Sequence, residues 1–463
     1  ARPNRHGSDS SRDSADCFAR RRGEGRRDSR PPTGDGVPWE PSDRRSRGRD
    51  GEPSRSNPTP VSMPTQLIAS RLRDLESSPT LALAAKAKAL LKAGRPVLDF
   101  TAGEPDFPTP DIVKHAATKA IQQNQTRYTP VAGIPELRAV IAADLARRLG
   151  LPYTPPEVMV SCGAKHVLYN TLQTVCESGD EVLILSPYWV SYPPLVQLAG
   201  AKPVVVETTE EHGFQPEIAA IRDALSGRTK AIILNSPSNP TGAVIEEPRL
   251  HALADVVRAQ KRANLFIISD EIYDQIVFEP TTTRSIAHVA RDLLDQIIVV
   301  NGVSKSYSMT GWRIGYAAGP KHVIDAMIAL QSHSTSNPTS ISQYAALAAL
   351  TSDQRELTQM VKEFHRRRDR LVTGLNRLPG LSCLMPQGAF YAWCNIEGLG
   401  KPAAVIAERW LEEAELVVVP GEGFGSPRHV RFSFATSMET IDQALQRLER
   451  WLTGQQAGTG RLP

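Results

Sequence analysis

Six short apolar runs decide what this chain can fold into. They lie at 158–160, 181–185, 203–206, 231–234, 265–268 and 297–300, and stretches of helical periodicity separate them. Most are rich in Val and Ile and do not alternate with polar residues, which marks strands buried on both faces. Strand and helix taking turns predicts an α/β fold, a mostly parallel sheet with helices on both sides. An earlier extended run at 97–100 precedes a loop at 101–110 and an amphipathic helix from Asp111 to about Gln123. Residues 70–92 also carry apolar positions at helical spacing. Past 355 the pattern changes to a long charged helix (355 to about 377), strand candidates at 390–394, 416–419 and 429–434, and a last helix at 438–452. That pattern predicts a separate, smaller α+β domain. No internal repeat interrupts it.

The N-terminal segment has a different texture. Residues 1–62 hold fourteen Arg, no Lys and ten Asp or Glu, with few aliphatic side chains. They carry the whole +4 formal charge of the 463 residues, and the remainder is neutral. Such a segment buries too little apolar surface to offset the entropy of ordering, so a disordered tail is expected. Its interleaved acids argue against a nucleic-acid-binding arm. It lacks the apolar core of a secretory signal and the acid-poor composition of a transit peptide. A natural start at Met63, with upstream sequence read in frame, is the other reading.

The expected organisation is a tail at 1–62, an N-terminal arm and part of the small domain at 63–111, a large cofactor-binding domain at 112–350, a C-terminal small domain at 351–455 and a tail at 456–463. No apolar run approaches the ~18–20 residues of a membrane-spanning helix, so no membrane partner is expected. The five cysteines, Cys17, Cys162, Cys176, Cys383 and Cys394, lie far apart with no C-x-x-C pair. That excludes a disulfide scaffold and a cysteine zinc site, no metal is expected, and a reducing cytoplasm fits.

In open α/β sheets, ligands bind beyond the carboxyl ends of the strands. The residues after each run are therefore the ones that carry chemistry. The run at 158–160 is followed by Cys162, Gly163, Ala164 and Lys165, opening a helix. The run at 181–185 is followed by Tyr188 and Trp189, and the run at 231–234 by Asn235 and Asn239. The run at 265–268 is followed by Asp270 and Tyr273, and the run at 297–300 by Ser304, Lys305 and then Arg313. A helix start with small residues is an anion site, an arginine adds phosphate affinity, and a lysine can form an imine. Each residue also has a plainer reading. Lys305 alone is a solvated loop lysine, Asp270 a helix N-cap, Asn239 before Pro240 a turn, and Trp189 a core or interface aromatic. The glycine-rich stretch at 421–426 reads as a turn between strands rather than a phosphate loop.

The stretches Ser-Pro-Ser-Asn-Pro-Thr-Gly at 236–242, Ser-Asp-Glu-Ile-Tyr at 269–273 and the sixteen residues at 301–316 resemble the class I aminotransferases. These are pyridoxal-phosphate enzymes of fold type I, the aspartate aminotransferase fold, and the chain looks most like their prokaryotic-type aspartate aminotransferases. The resemblance covers roughly 65–455. It implies pyridoxal 5'-phosphate as cofactor, with Lys305 holding it covalently and later moving the substrate's α-proton. It implies that Asp270 pairs with the cofactor's ring nitrogen and that Tyr273 and Asn239 bind its phenolic oxygen. It implies that Trp189 stacks on the ring. Gly163, Ala164, Ser304 and Arg313 would hold the phosphate, although Gly302 stands where the animal-type subgroup has a phosphate-binding serine. Tyr128 would reach the phosphate of a neighbouring subunit, which requires a homodimer.

For the substrate, the resemblance implies that Arg431 and the backbone of Gly103 grip the α-carboxylate, and that Trp189 and Asn239 also contact the substrate. No arginine lies at 331–338, where the animal-type enzymes carry a second one. Lys165 would instead meet the acidic side chain of aspartate or glutamate. The expected reaction is L-aspartate plus 2-oxoglutarate giving oxaloacetate plus L-glutamate, by a ping-pong mechanism on small-molecule amino and oxo acids. Prephenate is an alternative acceptor: Thr80 fits that subgroup, and Glu76 stands where many relatives have Lys. A pyridoxal-phosphate lyase or decarboxylase on the same fold is a second alternative. A regulator with an aminotransferase-like sensor domain is a third, opposed by Lys305 and by the lack of a helix-turn-helix pattern in 1–62.

Overall fold

The structure is a computed structural model that describes residues 69–72, 86, 89–90 and 92–457. The tail at 1–62, most of the stretch at 70–92 (with Glu76 and Thr80), and residues 458–463 lie outside the described residues.

Strand β1 (Leu98–Asp99) leads through the loop at 101–110 to the helix Asp111–Gln122. The next helix, Pro135–Leu149, starts on a proline, whose missing N–H would be an orphan there anyway. It ends on Gly150 in the left-handed region, φ 65°.

Seven strands form the central sheet: β2 (Val158–Ser161), β3 (Glu181–Ser186), β4 (Lys202–Glu207), β5 (Thr229–Asn235), β6 (Phe266–Asp270), β7 (Ile297–Gly302) and β8 (Gly315–Ala318). Their order is β2-β8-β7-β6-β5-β3-β4. Both faces are buried. Val160, Leu183, Ile232, Ile267 and Val299 pack on one side, and Met159, Ile184, Ile233, Ile268 and Ile298 on the other. That two-sided burial explains the unbroken Val and Ile runs. Strand β4 lies at the sheet's margin, where its Pro203 is tolerated.

One strand of this sheet escaped the sequence reading. Strand β8, Gly-Tyr-Ala-Ala, carries only one residue type that favours strands, and it pairs antiparallel with both β2 and β7. Its antiparallel course matters for function. The chain leaves β7 at the carboxyl edge, makes the excursion 303–314, and returns beside the same edge. Gly302 pairs with Gly315, and Ser161 pairs with Gly315 from the other side. A side chain at Gly315 would collide with the backbone of Gly163 and Ala164. The excursion therefore stands directly over the start of the helix Ala164–Val175.

A second sheet, order β12-β13-β10-β9, is antiparallel: β9 (Ser382–Cys383), β10 (Tyr391–Asn395), β12 (Val419–Pro420) and β13 (His429–Ser433). Strand β11 (Leu416–Val417) instead pairs in parallel with β1. The helices Arg355–Leu375 and Met438–Ala457 cover this region, with Phe364, Leu371, Ile441 and Leu448 packed against Phe390 and Phe432. Strand β13 places Arg431 opposite Trp393 and Val419, inside the protein.

Candidate active site

A cavity of about 440 Å³ opens at the carboxyl edge of the central sheet, between that edge and the antiparallel sheet. Its floor comes from the ends of β5 and β6, one wall from the 303–314 excursion, and another from Arg431, Tyr391 and Phe424.

At one end lies the start of the helix Ala164–Val175. Gly163 is its N-cap at φ 92°, a conformation that favours glycine. A side chain there would overlap the guanidinium of Arg313. Arg313 is anchored by the carbonyls of Thr310, at 2.7 Å, and Cys162, at 3.2 Å. The His166 and Val167 N–H groups donate to the Gly163 carbonyl at 3.0 and 3.2 Å, and those of Ala164 and Lys165 come before the helical ladder begins. With Arg313 and the buried Ser304 beside them, they form a cradle for an anion.

Asp270 ends β6 on the cavity floor. Its Oδ2 accepts from the Tyr192 hydroxyl at 2.7 Å, and its Oδ1 from the Ile272 N–H at 3.3 Å. Burial pushes its carboxyl up to about 6, against the lowering effect of those two donors and of Lys305. Asn235 braces the same corner. Its Nδ2 donates to the Asp270 carbonyl at 3.0 Å, and its Oδ1 accepts from Asn239 N–H at 2.9 Å.

Lys305 stands on the excursion, with its Nζ 6.0 Å from the ring centres of both Tyr273 and Phe390. It donates to the Gly103 carbonyl. Burial lowers its pKa to about 8; Arg431 and Arg313 push the same way, and Glu104 and Asp270 oppose them. An amine so placed is still mostly protonated at pH 7, but its neutral fraction, about one tenth, far exceeds that of an ordinary lysine, and the neutral form is the nucleophile or base. Tyr273 shares a hydrogen bond of 3.0 Å with the Tyr391 hydroxyl.

Arg431 is buried between the rings of Tyr391, 4.4 Å away, and Phe424, 5.1 Å away. It donates to Asn239 Oδ1 at 3.0 Å and to the Thr101 carbonyl at 2.9 Å. Its Nε is buried with no partner among the described residues. A buried guanidinium with an unspent donor is poised for a carboxylate. Across the cavity, Lys165 places its Nζ 4.8 Å from the Trp189 ring centre, and burial and Arg313 lower its pKa.

Gly103, Ala164, Lys165, Trp189, Asn239, Asp270, Tyr273, Ser304, Lys305, Arg313 and Arg431 thus share one cavity, and Gly163 lies beside it, against Arg313. Tyr128 does not. It is 89% exposed and lines a different cleft with Arg127, Ser336 and Asn337. Sequence reasoning missed Tyr192, Tyr391, Thr101 and Phe424, and gave Asn235 no role. Tyr192 follows Trp189 by three residues, and Phe424 lies in the glycine-rich stretch at 421–426, a short 3-10 turn between β12 and β13. Nothing local marks Tyr391 or Thr101.

A sequence profile described as aminotransferase class I and II matches residues 95–448. The aspartate aminotransferase of Geobacillus stearothermophilus is 46% identical over 83% of this chain and 98% of its own. The aspartate/prephenate aminotransferase of Thermus thermophilus is 45% identical over 83% of this chain and 98% of its own. Among solved structures, the aspartate aminotransferase of Rhizobium meliloti superposes with a TM-score of 0.81 at 38% identity, covering 83% of this chain and 98% of that one. That of Thermus thermophilus with maleate gives 0.79 at 44% identity, covering 83% and 99%. The chain belongs to the class I and II aminotransferases, in the α/β fold type I of the aspartate aminotransferases.

Proposed function

We propose that this aminotransferase exchanges an amino group between aspartate or glutamate and their 2-oxo acids, L-aspartate and 2-oxoglutarate giving oxaloacetate and L-glutamate. The observation that carries this reading is the pair of cations, Arg431 and Lys165, lining a single cavity that also holds Lys305. Two separated cations suit a substrate with two carboxylates. In a ping-pong exchange the same clamp serves the amino acid and the oxo acid.

Enzymes of this class work with pyridoxal 5'-phosphate, and the residues present fit it. The glycine cradle at Gly163 leaves room beside Arg313, a buried carboxyl faces the cavity at Asp270, and Lys305 is a desolvated amine. The cradle of Gly163, Ala164, Ser304 and Arg313 would hold the phosphate. Asp270 would hold the proton on the ring nitrogen, Tyr273 and Asn239 would bind the phenolic oxygen, and Trp189 would cover the ring. When bound, the cofactor supplies an electron sink for the charge left by the departing α-proton.

The chain's own groups do the rest. Arg431 and the Gly103 backbone orient the α-carboxylate, and Lys165 holds the side-chain carboxylate. Lys305 Nζ would take the α-proton and deliver it again.

Tyr128, exposed on this chain, would complete the cavity of a second copy, so a homodimer is the proposed assembly. The large domain at 112–350 and the small domain formed by 63–111 and 351–455 are our reading of the two separate sheets, with the β1–β11 pairing joining the two small-domain segments. Among the described residues no helix is long and apolar enough to cross a membrane. Prephenate is the second acceptor to consider, because several relatives at 42–45% identity are aspartate/prephenate aminotransferases.

The test is the absorption spectrum of the purified protein with pyridoxal phosphate, before and after aspartate. Loss of the visible band, reversed by 2-oxoglutarate, is the expected result. A visible band indifferent to aspartate would overturn the substrate assignment. Prephenate with glutamate would then be measured.

A further inference from the structure

We propose that Glu104 is a positioning residue for Lys305: it fastens the lysine's loop and supplies the negative charge against which the ammonium form rests. The inference rests on Lys305 being the amine that serves the cofactor. The geometry begins one residue earlier, where the Gly103 carbonyl accepts from Lys305 Nζ. Glu104 Oε2 then accepts from Thr310 Oγ1 at 2.5 Å. Thr310 belongs to the same excursion as Lys305, and its carbonyl accepts from Arg313 at 2.7 Å. A second tie joins the same two segments: Thr109 Oγ1 donates to the Ser308 carbonyl at 2.6 Å, and Trp312 Nε1 donates to Thr109 Oγ1 at 3.0 Å. The loop after β1 and the lysine's loop are thus fastened through Gly103, Glu104 and Thr109, and of these three Glu104 alone is an acid.

The groups that act on the Lys305 amine come from several elements. Glu104 and Asp270 are anionic, Arg313 and Arg431 are cationic, and the Tyr273 and Phe390 rings flank it. Burial and the two arginines favour the neutral amine, and Glu104 opposes them more strongly than Asp270 does. The balance matters, because a general base works best when its pKa lies near the working pH. Without Glu104 the amine would be more often neutral but weaker as a base. Glu104 itself is exposed and is not among the residues that line the cavity. A cofactor contact therefore does not explain it.

Glu104→Gln tests the charge, since the amide oxygen still accepts from Thr310. In the full-length protein freed of cofactor, Lys305 is acetylated with acetic anhydride across a pH series and its peptide is quantified by mass spectrometry. The labelling midpoint should fall by about 0.5 pH unit, a roughly threefold gain in neutral amine below it. In the cofactor-loaded protein, the pH midpoint of the visible band should move the same way. Glu104→Asp should restore most of both values, and Thr310→Val, which changes no charge, should give a smaller shift in the same direction. Unchanged midpoints in a Glu104→Gln protein with a normal melting curve would overturn the proposal and leave a structural tie only. Failure of the cofactor reading is distinct: no visible band would form, while the labelling experiment would still decide the role of Glu104.

Discussion

The Tyr192 hydroxyl donates to Oδ2 of Asp270 at 2.7 Å under the floor of the cavity, joining residues 78 positions apart in sequence. Both groups are buried. This bond stabilises the carboxylate against the desolvation that raises its pKa. The charge that Asp270 carries at the cavity is therefore partly maintained by Tyr192.

Tyr192→Phe removes that donor and keeps the ring that meets Trp189 edge-on at 5.5 Å. The carboxyl of Asp270 then rises further, so the acid limb of the aspartate half-reaction should move to higher pH. A hydrogen bond to a charged group contributes about 1.5–3 kcal/mol, or about 1–2 pH units, so the acid limb should rise by that much and the rate at pH 7 should fall roughly 2- to 15-fold. Stopped-flow rates against pH check this, and an acid limb that stays in place would refute the coupling.

Asp270→Asn should abolish transamination and yet stabilise the cofactor-free protein. Burial holds the folded-state pKa at about 6, above the ordinary 3.8. The folded state therefore binds more protons between those values, and above pH 6 the buried carboxylate costs stability. Two units correspond to about 3 kcal/mol at most. Denaturant unfolding should show the variant more stable at pH 8 and level with the parent protein below about pH 4.

Lys165→Met tests the dicarboxylate reading. The apolar stem is kept and the charge is lost, so kcat/KM for aspartate should fall about 10- to 100-fold. Amino acids without a side-chain carboxylate should be affected much less. Equal losses for both classes would mean that Lys165 does not read the side chain.

Gly163→Ala places a methyl group against Arg313 at a φ of 92°. Strain of this kind costs on the order of 1–3 kcal/mol. Cofactor affinity should weaken about tenfold or more, and the melting temperature should fall even without cofactor. A fluorescence titration with pyridoxal phosphate measures the first effect, and thermal unfolding measures the second.

Much of the legible part of the site was carried by strand ends; Arg431 and Gly103 were legible only through the resemblance. Asp270, Lys305, Asn239 and the helix start at Gly163 follow Val- and Ile-rich runs, and a buried parallel sheet puts such residues at one edge. Strand β8 was not legible, because Gly315 is selected by clearance from the Gly163–Ala164 backbone rather than by strand propensity. Phe424 was read as part of a turn, which it is, but its ring also flanks Arg431. Glu76 and Thr80, which bear on prephenate, lie outside the described residues.

The sequence by itself determined the layer architecture, the motif around Lys305 and the family, because apolar periodicity and local motifs act over a few residues. Tertiary structure alone decided which groups tune them. Tyr391 meets Tyr273 across 118 positions, and Arg431 meets Asn239 across 192. These contacts form where the antiparallel sheet closes on the edge of the parallel one. Their energies come from burial and from hydrogen-bond geometry, and no pattern along the chain encodes either.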